Sequence, residues 1–231
     1  MSALQTLDRG VRVLELVSLR PRGITVAELA KELDAHRAIC YRIVTTLEEH
    51  ALVTRLPDGR IRLGPGLAVL ASRFAPQFQD EAGPVLDALA SRTGATAFLS
   101  MAHGDDCVVT MVASPPGSAI HVGYRVGLRH PLNRGAAGIA ILALRPASPR
   151  DAAALQQARR EGVIETRGEL ERGAVGIAAG VVLPPEVARS TGIECSVGVV
   201  AIDGLDTDMA AEPVRSAARQ LAEILGATDA A

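Results

Sequence analysis

The chain has 231 residues, of which 48% are hydrophobic and 22% are charged, and its formal net charge is −2 at pH 7. This length suits one large domain or two small ones, and the composition is that of an ordinary globular protein. No apolar run approaches the roughly 18 residues of a membrane span, and the first ten residues lack the basic start and apolar run of a signal peptide. We therefore expect a cytoplasmic protein without membrane contact.

The cysteines and the distribution of charge bear on which kinds of site the chain can form. Cys40, Cys107 and Cys195 are odd in number and far apart, which argues against a disulfide framework and against a C-x-x-C metal site. Residues 1–75 carry 11 basic and 8 acidic side chains, whereas residues 76–231 carry 13 basic and 18 acidic ones. The asymmetry has the sign expected if only the first part contacts nucleic-acid phosphates.

Three helices are predicted at the start of the chain. Apolar residues recur at helical spacing over residues 4–19. Thr25 and Glu28 have the Thr-x-x-Glu spacing of a capping box, which opens a second helix that reaches about Leu33. A break then leads into a third helix over residues 36–49.

A predicted hairpin follows the third helix. Its arms are residues 52–56 and 60–63, and they enclose the turn Pro57-Asp58-Gly59. Helices and hairpin in this order are the plan of a winged helix-turn-helix, whose second motif helix enters the DNA major groove.

The third helix carries a polar face suited to reading DNA. Arg37, Tyr41 and Thr45 recur at i, i+4 and i+8, with Ala38 beside them and Arg42 at the margin. A groove-reading helix needs a long donor that can fork onto guanine, small residues for close approach and hydroxyl groups. The opposite side is expected to pack, and it consists of Ile39, Ile43, Thr46 and Leu47, flanked by Cys40 and Val44.

The hairpin carries three arginines, Arg55, Arg60 and Arg62, where a wing would meet the DNA backbone or minor groove. A solvated surface is the alternative interpretation of this polar helix face and of these arginines. The hairpin directly after the helix favours DNA binding.

The rest of the chain alternates helices and short strands. Helices and strands mixed in this order predict an α+β domain with an antiparallel sheet. We expect helices over residues 67–73, 84–92, 136–144, 149–162 and 210–225, and strands over residues 95–102, 107–113, 120–124, 175–182 and 194–202.

Six segments of the chain carry a recognisable pattern: residues 4–17, TVAELAKEL (25–33), YRIVTTLEEHALV (41–53), RIRLGPGLAVLA (60–71), HPLNRGAAGIAILA (130–143) and TRGELERGAVGIAAGVV (166–182). In this order and spacing they resemble the IclR family of bacterial transcriptional regulators. The resemblance covers nearly the whole chain.

This resemblance implies a winged helix-turn-helix DNA-binding domain at residues 1–64, a linker helix at 65–79 and a GAF-like effector-binding domain at 80–231. It also implies homodimers, often paired into tetramers, on a roughly palindromic double-stranded operator. The implied effector is a small organic acid or an intermediate of aromatic catabolism.

The chain departs from the family pattern at several positions. Asp34-Ala35 stands where the family usually has Gly-Leu, and Ala51 stands where it usually has Gly. We expect these residues to adopt the required backbone conformations less readily than glycine does. In the PLHxxAxGKA element, Asn133 and Ile139 replace a histidine and a lysine, and Gly180 replaces the proline of IAAPV.

An effector pocket is expected where small residues cluster. Glycine at a helix start lets backbone N–H groups approach a carboxylate, and the helix dipole favours an anion there. The clusters and the resemblance together assign the pocket to Ile120, Val122, Leu132, Gly135, Ala136, Ala137, Gly138, Gly176, Ile177, Ser196 and Gly198. Arg125 and Arg134 are candidate partners for an acidic ligand. Close packing of helix on sheet is the alternative interpretation.

Enzyme chemistry has little support in the sequence. His103, Asp105 and Asp106 lie in a predicted turn, and Cys195-Ser196 lacks a nucleophile elbow. We therefore predict no catalytic residue, no metal and no cofactor. The leading hypothesis is a ligand-responsive DNA-binding regulator. The alternative is a GAF-like small-molecule sensor whose helix-turn-helix mediates protein contacts.

Overall fold

The computed structural model describes residues 4–73, 76–115, 117, 124–202 and 204–228, and of residues 76–79 and 228 it describes the backbone alone. The chain forms two compact units, Met1–Pro76 and Gln77–Ala231.

The N-terminal unit has the predicted winged helix-turn-helix plan. Thr25 caps the second helix through the expected capping box, because the Glu28 amide donates to Thr25 Oγ1 at 3.2 Å and the Thr25 amide donates to Glu28 Oε2 at 2.8 Å. The elements are α1 (Gln5–Ser18), α2 (Val26–Glu32), α3 (Arg37–Glu49), β1 (Val53–Arg55), β2 (Ile61–Leu63) and α4 (Gly66–Ser72).

The core of this unit joins α1, α2, α3 and the hairpin. Its fully buried side chains include Val13, Leu29, Val44 and Ile61. An isolated bridge between Ile24 and Ile61 ties the segment before α2 to the wing. The wing is thus part of the same packed unit as the helices.

The expected packing face of α3 needs one correction. Cys40, Ile43 and Val44 are buried, as the helical spacing predicts. Thr46 is exposed instead, and its hydroxyl donates to the Arg42 carbonyl oxygen at 3.1 Å. The buried stripe is therefore rotated toward Cys40 and Val44.

The C-terminal unit is built on one antiparallel sheet in the order β5-β4-β3-β8-β7-β6. The strands are β3 (Thr96–His103), β4 (Asp106–Ala113), β5 (Arg129–Pro131), β6 (Ile164–Arg167), β7 (Ala174–Gly180) and β8 (Cys195–Ile202). The helices are α5 (Pro76–Thr93), α6 (Gly135–Leu144), α7 (Ala153–Glu161), α8 (Pro185–Thr191) and α9 (Thr207–Thr228).

Helices cover both faces of this sheet. Helix α6 packs on one face, where Phe98, Ala178 and Val200 belong to its apolar cluster. Helix α9 also packs on β7 and β8, yet none of its residues belongs to that cluster, so it covers the other face. Because strand side chains alternate between faces, Val197 and Val199 lie on the α9 side.

The predicted α+β class, with a winged helix-turn-helix and a GAF-like antiparallel domain, is confirmed. Several elements differ from expectation. Helix α5 begins at Pro76 rather than at Pro84, which lies inside it. The sequence did not predict β5, β6 or α8. The strand expected over residues 120–124 lies mostly outside the described residues, and Tyr124 is not in a strand.

Candidate nucleic-acid interface and ligand cavity

The polar face of α3 is open to solvent. Arg37, Ala38, Tyr41, Arg42 and Thr45 are all exposed, on the side of the helix away from its buried stripe. In the described part of the chain, neither Arg37 nor Arg42 has an ion-pair partner. Their guanidinium groups are therefore available to phosphate or to base edges.

Arg55 of the wing contacts the reading helix. Its guanidinium carbon lies 6.0 Å from the centroid of the Tyr41 ring, and its Nε lies 3.6 Å from Glu48 Oε2. Arg55 pairs with Ile61 across the hairpin, so it shares the core-facing side of the wing. Arg55 thus joins the wing to Tyr41 and Glu48 of α3.

The two remaining wing arginines have different surroundings. Arg60 donates from Nη1 to the Gly23 carbonyl oxygen at 3.1 Å, and the same nitrogen lies 3.8 Å from Glu28 Oε2. Arg62 lies opposite Thr54 on the outer face of the hairpin. It is exposed and has no ion-pair partner among the described residues. Arg60 thus links the wing to the start of α2, whereas Arg62 points its charge outward.

The C-terminal unit contains a cavity of about 340 Å³ on the α6 face of the sheet. Its volume lies within the usual range for small-molecule pockets. The ring centroids of Phe98 and Tyr124, which both line the cavity, are 4.6 Å apart. Its other described lining residues are Leu128, Arg129, His130, Pro131, Arg134, Ala136, Ala137, Thr166, Glu169, Leu170, Glu171, Ala174, Gly176 and Val200.

The chain's own side chains occupy the start of α6. The Gly135 amide donates to Glu169 Oε2 at 2.7 Å, and the Ala136 amide donates to Thr166 Oγ1 at 3.0 Å. Arg134 also donates to the backbone carbonyl oxygen of Glu169. The first two amides of α6 are therefore already satisfied by Thr166 of β6 and by Glu169, which follows that strand.

Three of the eleven predicted pocket residues line the cavity: Ala136, Ala137 and Gly176. Gly135 adjoins it through Glu169. Ile120 and Val122 lie outside the described residues.

The other predicted pocket residues serve packing. Ile177 pairs with Val199, which places it on the opposite face of the sheet. The Ser196 hydroxyl donates to the Ala137 carbonyl oxygen at 3.0 Å, and both groups are buried. Gly198 leaves room for the Phe98 ring, because a Cβ there would lie 2.6 Å from Phe98 Cζ. Leu132 and Gly138 lie in the packed core, where the α6 backbone passes close to the Leu132 carbonyl. Our proposed site therefore leaves out Leu132, Gly138, Ile177, Ser196 and Gly198.

The buried thiols of this unit are not nucleophiles. Burial raises the pKa of Cys107 and of Cys195 to about 12. A thiol with such a pKa is protonated at neutral pH and reacts poorly.

No group of three His, Cys, Asp or Glu side chains within the described residues is placed to hold a metal ion. In those residues no helix is long and apolar enough to cross a membrane.

Comparison with known proteins agrees with this arrangement. The sequence model of the IclR helix-turn-helix domain matches residues 6–57, from α1 to the turn of the wing. The regulator TtgV of Pseudomonas putida is 28% identical over 145 residues, which cover 62% of this chain and 55% of TtgV. The chain spans about half the length of the curated relatives it matches.

Solved structures share the fold over almost the whole chain. An IclR regulator from Alicyclobacillus acidocaldarius superposes with a TM-score of 0.77 at 24% identity, covering 97% of this chain and 100% of that one. An IclR homolog from Microbacterium hydrocarbonoxydans, crystallised with 4-hydroxybenzoate, has a TM-score of 0.78 at 22% identity, covering 96% and 99%. Residues 6–57 thus form a helix-turn-helix domain of the IclR type, and the chain as a whole is similar to IclR regulators.

Most residues of this cavity are not predicted from the sequence. Arg134 was a candidate partner for an acidic ligand, and it does line the cavity. Glu169 stands in the RGE segment that carried part of the resemblance, and its position there was the available signal. His130 and Thr166 also lie in segments that carry the resemblance, residues 130–143 and 166–182. Nothing in local spacing shows that Phe98 and Val200 lie on the same wall.

Proposed function

We propose that this protein is a ligand-responsive, DNA-binding transcriptional regulator of the IclR type that works in the cytoplasm. The observation that carries the proposal is the exposed face of α3 within a winged helix-turn-helix that matches the IclR domain. That face presents Arg37, Tyr41 and Thr45 to solvent, and Arg37 has no ion-pair partner among the described residues.

Each part of the interface has its own role in the proposal. Arg37, Ala38, Tyr41 and Thr45 read base edges in the major groove. Arg42 and the wing arginines Arg55, Arg60 and Arg62 hold the DNA backbone. The ion pairs of Arg55 and Arg60 span 3.6–3.8 Å between partly exposed groups. Such pairs contribute little to stability, and phosphate can replace the carboxylate.

The proposed partners are double-stranded operator DNA, a second copy of this chain and a small effector. A dimer would place two reading helices in successive major grooves of a roughly palindromic operator, and dimers could pair into tetramers. The cavity of the C-terminal unit supports a small organic-acid or aromatic effector, and so does the 4-hydroxybenzoate bound to the Microbacterium homolog. The effector acts by binding one DNA-bound arrangement better than another.

The test is the Arg37→Ala variant on an operator selected by the wild-type protein from random duplexes. We expect affinity to fall about 5- to 150-fold, which corresponds to about 1–3 kcal/mol for a base-reading arginine, with relaxed preference at one base pair. The matched control is Arg20→Ala, which removes the same charge from an arginine paired with Glu32.

Salt dependence separates this proposal from a protein-contact module. Log affinity should fall linearly with log salt concentration, because each phosphate contact releases counterions. Equal footprints for wild type and Arg37→Ala, or binding insensitive to salt, would count against DNA reading by α3.

A further inference from the structure

One imidazole nitrogen at the cavity has no partner. His130 is 7% exposed and lines the cavity. Its Nδ1 lies 3.0 Å from the Pro131 carbonyl oxygen. A carbonyl oxygen only accepts, so Nδ1 carries the hydrogen, and in the neutral ring Nε2 is a bare acceptor. Nε2 is buried and has no hydrogen-bond partner among the described residues.

The ring is held in its neutral form. Burial lowers the pKa of His130, and the nearby charge of Arg134 acts in the same direction. The backbone carbonyls of Pro131 and Arg134 and the carboxylate of Asp106 act in the opposite direction, without reversing the shift. An unpaired buried acceptor destabilises the folded state and is rare in folded proteins. Since this acceptor adjoins a cavity, a ligand that donates a hydrogen bond can remove that destabilisation.

The start of α6 does not favour a ligand carboxylate, because a side chain of the protein already binds there. Glu169 already accepts from the Gly135 amide at 2.7 Å, and its negative charge repels a second carboxylate. Arg129 and Arg134 line the same cavity but are exposed, whereas His130 is buried. The cavity therefore has a neutral acceptor at its buried side, and at its solvent side the guanidinium groups of Arg129 and Arg134 lie among the carboxylates of Glu169 and Glu171.

We propose that the cavity binds a small carboxylic acid that also carries a hydroxyl group, with the hydroxyl donating to Nε2 of His130. The carboxylate faces Arg129 and Arg134, and the apolar body lies against Phe98 and Val200. This inference rests on the proposed effector-binding role of the C-terminal unit, and it names the chemistry of the ligand and its orientation.

The first test is calorimetric titration of the full-length protein with matched acids that differ by one hydroxyl. The probes are 4-hydroxybenzoate against benzoate, 3-hydroxybenzoate against benzoate, and mandelate against phenylacetate. We expect at least one hydroxylated acid to bind, and to bind about 5- to 150-fold more tightly than its partner, which corresponds to the 1–3 kcal/mol cost of an unpaired group.

Two variants assign this preference to one nitrogen. His130→Phe keeps a ring of similar size without the acceptor, so the two acids of a pair should bind with equal affinity. The control His103→Phe changes an exposed histidine that does not line the cavity, and it should keep the preference. Equal affinities in wild type, binding of none of the hydroxylated acids at millimolar concentration, or an unchanged preference in His130→Phe would each overturn the proposal.

A second measurement does not depend on how the variant folds. Nitrogen-15 NMR of the wild-type histidines should show His130 protonated at Nδ1 and bare at Nε2, and the Nε2 resonance should move when the hydroxylated acid saturates the protein. An Nε2-protonated ring, or an unmoved resonance at saturation, would contradict the inference. If the acid binds in this way but DNA affinity does not change, the regulatory proposal fails and this one stands.

Discussion

Two residues around α3 adopt backbone conformations that favour glycine. Asp34 has φ 46° and Ala51 has φ 56°, and they are the non-glycine residues with positive φ among those described. Both positions usually hold glycine in the IclR pattern. The backbone strain that the sequence leads us to expect at these positions is therefore present in the structure. Asp tolerates this region better than Ala because its short polar side chain bonds locally. The strain at Ala51 is therefore the larger of the two.

Ala51→Gly should stabilise the N-terminal unit. Relief of the left-handed strain is worth about 1–2 kcal/mol, and the greater freedom of glycine in the unfolded chain offsets part of it, so we expect a net gain of about 0.5–1 kcal/mol. Denaturant unfolding measures the change. Gly59→Ala is the reverse control, because Gly59 has φ 81° with open space around its Cα, and it should destabilise. A loss of stability in Ala51→Gly would contradict this account.

Residues distant in the sequence form hydrogen bonds with the free backbone groups at both ends of helix α6. At its start, Glu169 and Thr166 accept from the first two amides. At its end, Arg159 donates to the carbonyl oxygens of Leu142 at 3.3 Å and Ala143 at 2.8 Å. The last carbonyls of a helix have no partner within the helix, so an arginine from α7 satisfies them here. Both ends of α6 are thus capped by other elements of the same unit.

Arg159→Met should lower the free energy of unfolding by about 2–3 kcal/mol, because carbonyls hydrogen-bonded to a charged group lose their donor. The substitution also removes the ion pair of Asp151, whose Oδ2 lies 3.3 Å from Arg159 Nη2. Equilibrium unfolding in urea is the measurement. Arg160→Met, at the next and exposed position, should change stability by less than about 0.5 kcal/mol. Equal effects of the two substitutions would show that Arg159 does not cap α6.

Exposed apolar residues on α1 and at its N-cap support the proposed dimer. Leu4, Leu7 and Val11 lie one turn apart and are 75%, 64% and 48% exposed, whereas Val13 and Val17 pack inward. The exposed set and the buried set are two apolar stripes along the helix, and together they account for the apolar spacing that predicts it. A stripe used by two identical copies forms a self-complementary contact.

Leu7→Glu should therefore shift the protein from dimer toward monomer in light scattering, since a charge would be buried in the shared contact. The inward residues of α1 are unchanged, so the circular dichroism spectrum should stay the same. Met209→Glu, an apolar-to-acid change at a residue 74% exposed in the C-terminal unit, is the control and should leave the mass unchanged. A Leu7→Glu protein that keeps the wild-type mass would exclude α1 from the dimer contact.

Local patterns in the sequence are sufficient to predict the elements of the N-terminal unit. Helical spacing, the Thr25–Glu28 capping box and the turn at residues 57–59 identified the winged helix-turn-helix, because each depends on residues within a few positions of one another. The same spacing identified the exposed face of α3. The order of helices and strands also indicated the α+β class of the second unit.

The ligand cavity, in contrast, depends on contacts between residues that are far apart in the chain. Glu169 reaches the Gly135 amide across 34 residues of chain, and Ser196 reaches Ala137 across 59. Such contacts depend on strand order and register, which local spacing does not encode: Ile177 and Gly176 are neighbours in sequence but lie on opposite faces of the sheet. The sequence thus predicted an anion at the start of α6, and the fold places the chain's own carboxylate there.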